Sequence, residues 1–271
     1  MQDTYGDVLA LPDPELTAAK LKSRNPVLFW TTVASSLLFV GALVGIAADP
    51  RTVAGGEAVW FKPMRYAMAM ALFTGTLAWL TPHFTLSERV LRATSWAVSG
   101  GVLFELTAIA GQAARGVDAH FNHTTGFDRL VYLLMGVVIA SMTLLVAALF
   151  VAGTWTGFDV HPAFSLGITL GGLLFVVGSF EGGAMSALTT HTVGGGYTLP
   201  VVGWTLVGDF RVAHFVGLHS LQVLPLAGYL SAVGARRERI DRPRLLVWLV
   251  GFAYAGLLAG ALALAVYPLY A

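Results

Sequence analysis

The sequence predicts an all-α fold, a polytopic integral membrane bundle of about seven transmembrane helices, and two observations carry that prediction. First, 56% of the 271 residues are hydrophobic and 11% are charged, with a mean hydropathy of +0.73. Soluble domains carry charge on about a quarter of their residues. Second, seven apolar stretches come close to or exceed the roughly 20 helical residues needed to cross a hydrocarbon layer of about 30 Å. They lie near 26–48, 64–82, 89–114, 129–153, 162–186, 211–234 and 244–269.

Residues 1–25 read as a polar cytoplasmic tail and 26–271 as one seven-helix transmembrane domain. The first apolar stretch is far longer than a signal-peptide core and is expected to stay in place. It carries Gly41 and Gly45, a GxxxG pair of the kind that lets helix backbones approach closely in lipid. The second follows Lys62 and includes Arg65 at its start, and the third holds Glu105 and Gln112 and ends near Arg115. A connection with the sequence GVDAHFNHTTGFD then leads into the fourth. Gly167 with Gly171 and Gly178 with Gly182 mark the fifth, which also contains Glu181. The longest connection, 187–210, has three consecutive glycines and suits a lid or re-entrant loop as well as a floppy outer one. The sixth stretch brings His214, His219 and Gln222, and the seventh repeats the GxxxG pattern at Gly256 and Gly260. Any of these glycine pairs would equally serve a homo-oligomer or a partner in a larger membrane complex.

Lys and Arg set the expected orientation, because they are retained on the cytoplasmic side. With the N-terminus inside, Lys20, Lys22, Arg24, Arg89, Arg92, Arg236, Arg237, Arg239, Arg242 and Arg244 are cytoplasmic, and Arg51, Lys62, Arg65, Arg115, Arg129 and Arg211 face outward. That bias predicts a bacterial-type plasma (inner) membrane protein with its C-terminus outside.

Several chemistries are excluded at once. There is no cysteine, which removes disulfides, thiolate metal sites and Cys nucleophiles. A net charge of +1 offers no electrostatic footprint for nucleic acid. HExxH, GxSxG and P-loop motifs are missing, and a retinal Schiff base is ruled out because the lysines are Lys20, Lys22 and Lys62, none in the last helix.

What remains is a set of polar groups near the outer end. Ionisable residues inside a bilayer are costly and usually face the bundle interior or a cavity. Glu105 lies roughly 13 Å below the outer end of its helix and His219 roughly 12 Å below the start of its own, at 1.5 Å per residue. With Gln112 and Glu181 they are the expected lining of a proton or substrate path and the candidate catalytic residues. Such groups also serve as plain interhelical glue. His120 and His123, three apart, would share one face of a helical turn; with His191 and His214, and Asp209 as a further oxygen donor, they are candidate ligands for iron, copper or zinc. His214 and His219 differ by about 140° around a helix and should face different things. Haem b is the alternative cofactor, with His219 as axial ligand and Arg65, Arg115 and Arg211 near the propionates. The leading expectation is therefore redox or oxygen chemistry on a small or lipid-soluble substrate. The competing ones are a proton-coupled transporter or ligand sensor without catalysis, and a structural partner in a complex.

Overall fold

A computed structural model describes residues 17–53, 56–188, 190–199 and 203–270. All of its regular elements are helical: α1 (Ala18–Arg24), α2 (Pro26–Ala48), α3 (Phe61–Leu80), α4 (Glu88–Ala114), α5 (Gly126–Thr156), α6 (Pro162–Leu188), α7 (Phe210–Arg236) and α8 (Pro243–Val266), with short 3-10 turns at Thr81–His83 and Tyr267–Leu269. Among the described residues β-pairing is confined to isolated bridges.

Helices α2 to α8 stand where the seven apolar stretches predict them. Six of them, however, are long and apolar enough to cross a membrane, and α3 falls outside that set. Its sequence FKPMRYAMAMALFTGTLAWL opens with two cations and is diluted by alanine, threonine and glycine. A seventh span is therefore not established by length and hydropathy. The segment expected to be a polar tail also contains a helix, α1, started by Thr17, whose hydroxyl accepts from the Lys20 amide at 3.3 Å.

The chain divides into two compact units, whose described parts fall in Glu15–Pro82 with Leu86–Val146, and in His83–Thr85 with Ala147–Ala271. In the first unit hydroxyl and amide side chains lace the helices. Asn25 closes α1 and opens α2, accepting from the Leu28 amide at 3.1 Å and donating to Thr81 and Ser95, each at 2.9 Å. Thr31 donates to Ser99 and Thr32 pairs with Thr74, both at 2.8 Å. Such bonds average about 0.6 kcal/mol in lipid, enough to set register when several line one seam. At the other end of α2, Asp49 accepts from the Trp60 indole at 2.9 Å and from the Arg51 guanidinium at 2.6 Å. Arg51 also donates to the carbonyl of Ala114 at 3.1 Å, so the α2–α3 loop caps the C-terminus of α4. The Trp60 ring fits because residue 45 has no side chain; a Cβ there would lie 2.6 Å from it.

The second unit is built on the close approach of α6 and α7. Gly178 meets Gly217 backbone to backbone, and Gly167 meets Leu224 and Gly228. The Ser220 hydroxyl donates to the Gly171 carbonyl at 2.9 Å and to Gly217 at 2.7 Å. Two of the four glycine pairs thus pack within the chain, a choice that the sequence left open. Gly41, Gly256 and Gly260, by contrast, have open space where a Cβ would be. The described residues of the long connection before α7, 187–188, 190–199 and 203–210, are tied by backbone bonds. Val193 donates to Gly208 at 2.8 Å, Leu206 to Tyr197 at 2.9 Å, and Gly208 to Leu264 of α8 at 2.9 Å.

Candidate functional site

Of the residues expected to act together, Glu105, Gln112, Arg65, Arg115, His120 and His123 belong to the first unit, and Glu181, His191, Arg211, His214 and His219 to the second.

In the first unit Gln112 turns away from Glu105 and toward the start of α5. It is 2% exposed; its amide donates to Asp128 at 2.9 Å and its oxygen accepts from Arg115. Arg115 also pairs with Asp128, which takes further bonds from the Thr125 hydroxyl at 2.6 Å and the Thr124 hydroxyl at 3.1 Å. The reason is electrostatic: a charged acceptor with an arginine beside it outcompetes a carboxyl two turns away. Gln112 and Arg115 are thereby committed to holding α4 and α5 together around the intervening loop. Sequence reasoning missed Asp128. Its signal was an acidic residue in the first turn of α5, where a helix N-terminus favours negative charge.

Arg65 is likewise engaged, with Glu57 at 2.9 Å and over the Phe61 ring at 4.2 Å. His120 lies between Tyr66 at 5.4 Å and Tyr132 at 6.2 Å between ring centroids, while His123 contacts the same Tyr132 at 5.5 Å. The HxxH pair therefore shares an aromatic neighbour. Glu105 is 2% exposed on α4, and its Oε1 has no hydrogen-bond partner.

In the second unit Asp209, buried at the N-terminus of α7, accepts from the backbone amides of Arg211 at 3.0 Å and Thr205 at 3.1 Å and from the Arg211 guanidinium at 2.6 Å. It anchors the loop, and Arg211 is its partner. His191 sits in that loop, where its carbonyl accepts from the Phe210 amide at 3.1 Å.

His214 and His219 face different things, as their spacing predicts. The Nδ1 of His214 is 2.7 Å from the carbonyl oxygen of Gly178 on α6, over Gly182, which has no side chain to obstruct the ring. The Nδ1 of His219 is 2.9 Å from the carbonyl of Phe215, one turn back on its own helix. A carbonyl oxygen only accepts, so in both rings Nδ1 carries the proton and Nε2 presents its lone pair in the neutral form. Glu181, on the same helix as Gly178, is 6% exposed, and neither of its carboxyl oxygens has a hydrogen-bond partner. Among the described residues, no three His, Asp or Glu side chains gather closely enough to hold a metal ion. Compared with protein-family models, with curated proteins and with solved structures, the chain matches none.

Proposed function

We propose that the chain is an integral membrane protein, with α3 as a seventh span beside the six apolar helices, that binds and releases protons on buried carboxyl groups while moving or sensing a small ligand. One observation supports this reading above the others: Glu181 is buried in a span with neither oxygen bonded. A structural carboxyl is normally held by donors, because an unsatisfied buried polar group costs about 1–3 kcal/mol. A carboxyl that exchanges a proton is best left without a permanent partner, and in the other unit one oxygen of Glu105, Oε1, is likewise buried and unbonded. The test is infrared difference spectroscopy of the protein in lipid across a pH titration. The carboxylic-acid carbonyl bands should respond to pH and disappear in Glu181→Gln and Glu105→Gln. Bands indifferent to pH, or absent already in the wild type, defeat proton exchange.

A second reading keeps the metal or haem expected from the histidines. Its support is the Nδ1-to-carbonyl contact of His214, because metal-bound imidazoles usually donate their other ring proton in this way. Metal analysis and an absorption spectrum of the purified protein decide it: a stoichiometric metal lost in His214→Ala, or a Soret band lost in His219→Ala, supports it, and the absence of both refutes it.

A further inference from the structure

Arg211, Phe215 and His219 follow one another at four-residue spacing and so form one stripe along α7. Trp204, from the preceding loop, joins that stripe. The Arg211 guanidinium lies 5.6 Å from the Trp204 ring, Trp204 meets Phe215 at 5.9 Å, and Phe215 stacks on His219 at 4.0 Å with the rings inclined by 30°. Phe215 is 47% exposed and His219 is partly exposed. Aromatic side chains on a lipid-facing surface need no explanation, but an imidazole among them does. His219 is nine residues into α7, roughly 13 Å along the helix. Its Nδ1 proton is used by the Phe215 carbonyl, so Nε2 is an acceptor, and hydrocarbon supplies no donor to satisfy it.

We propose that the Trp204–Phe215–His219 face binds the ring of a lipid-soluble hydroquinone or similar phenol, with His219 Nε2 accepting the phenolic O–H. The chemistry selects that class. The ligand must dissolve in lipid, must donate a hydrogen bond at membrane depth in the plane of the imidazole, and must be planar to pack against the Trp204 and Phe215 rings beside it. It should also be neutral, because the nearby Arg211 guanidinium is already neutralised by Asp209 at 2.6 Å. This site involves neither Glu181 nor Glu105 and stands apart from proton exchange on them.

The test uses the full chain in lipid nanodiscs, titrated anaerobically with decylhydroquinone and followed by tryptophan fluorescence, with Trp204→Phe identifying the responding residue. The expected result is saturable quenching that is lost in Trp204→Phe. His219→Phe, which keeps a ring to stack but removes the acceptor, should weaken binding about tenfold, the equivalent of one hydrogen bond. The dimethyl ether of the same hydroquinone, which keeps the ring and loses both O–H groups, should bind the wild type equally poorly, a comparison that needs no variant to fold. The proposal is overturned if there is no saturable binding, if the ether binds as well as the hydroquinone, or if His219→Phe folds and binds like the wild type. It also fails if Phe215→Cys, in this cysteine-free chain, cross-links quantitatively to a second copy, since the face would then be a protein contact.

Discussion

Replacing Gly171 by alanine should open the α6–α7 seam, and the size of the effect follows from the packing. A Cβ at residue 171 would lie 2.8 Å from Pro225 Cδ and 2.9 Å from the Ser220 carbonyl oxygen. Favourable heavy-atom contact begins near 3.5 Å, so the two helices must part locally by about 0.6 Å. Neither neighbour yields easily: one is a proline ring inside α7 and the other is backbone. Overpacking of this kind costs about 1–3 kcal/mol. Parting the helices also stretches the Ser220–Gly171 bond, which adds about 0.6 kcal/mol. The expected loss is therefore roughly 2–4 kcal/mol, measured by reversible denaturation in mixed micelles with tryptophan fluorescence as readout. Gly256→Ala and Gly260→Ala are the controls, since nothing lies within 4 Å of either added methyl. They should stay within about 0.5 kcal/mol of the wild type. If Gly171→Ala is as stable as these controls, the close approach of α6 and α7 is not what holds the second unit together.

Asp49→Asn should destabilise the α2–α3 loop at neutral pH but not in acid. The Arg51 guanidinium, and secondarily the Trp60 indole, hold the Asp49 carboxyl well below its ordinary value. A lowered folded-state value means that the contribution is complete above the unfolded aspartate value of about 3.9 and fades as pH falls through the folded one. The difference between wild type and variant in thermal unfolding should thus shrink steadily below about pH 4. Asp128→Ala should lower the unfolding temperature more than Arg115→Ala. The first strands Gln112, Arg115 and two threonines, while the second leaves Asp128 with its other donors. The reverse order would show that the arginine and not the aspartate organises the α4–α5 junction. Reporter fusions at residue 124 and at the C-terminus should be active with an external reporter and silent with a cytoplasmic one. Cytoplasmic activity at either point would invert the orientation argued from the positive residues.

Helix positions were legible because hydropathy is a property of long stretches. The sixth apolar stretch, read as 211–234, is Phe210–Arg236, and the fifth, read as 162–186, is Pro162–Leu188. The glycines at 167, 171, 178 and 182 announced a close helix contact, and geometry alone separated His214 from His219. What could not be read is which polar side chains find each other across loops. Gln112 and Glu105 share a stripe on α4, yet Gln112 bonds Asp128, sixteen residues on, because the turn of the HFNH loop brings that carboxylate to it. Asp209 has the side chain of a metal ligand, and only the folded loop reveals that Arg211 and two amides occupy it. The charged residues that sequence reasoning assigned to cofactors are thus engaged in ion pairs, Arg211 with Asp209, Arg65 with Glu57 and Arg115 with Asp128. The buried carboxyls with unbonded oxygens, Glu181 on both and Glu105 on Oε1, were recognisable from their place in an apolar context, which is a matter of pattern.

The bond from the Gly208 amide to the Leu264 carbonyl has a bearing on biogenesis. The loop before α7 is translated well before the end of α8 exists, so this donor must wait for its acceptor while both following helices are being integrated. Pro268 then covers Gly194 and Gly208 from just beyond α8. The loop therefore gains these contacts only after α8 and Pro268 have been made. A nascent chain stalled or cut before Leu264 would present the Gly208 amide without its acceptor.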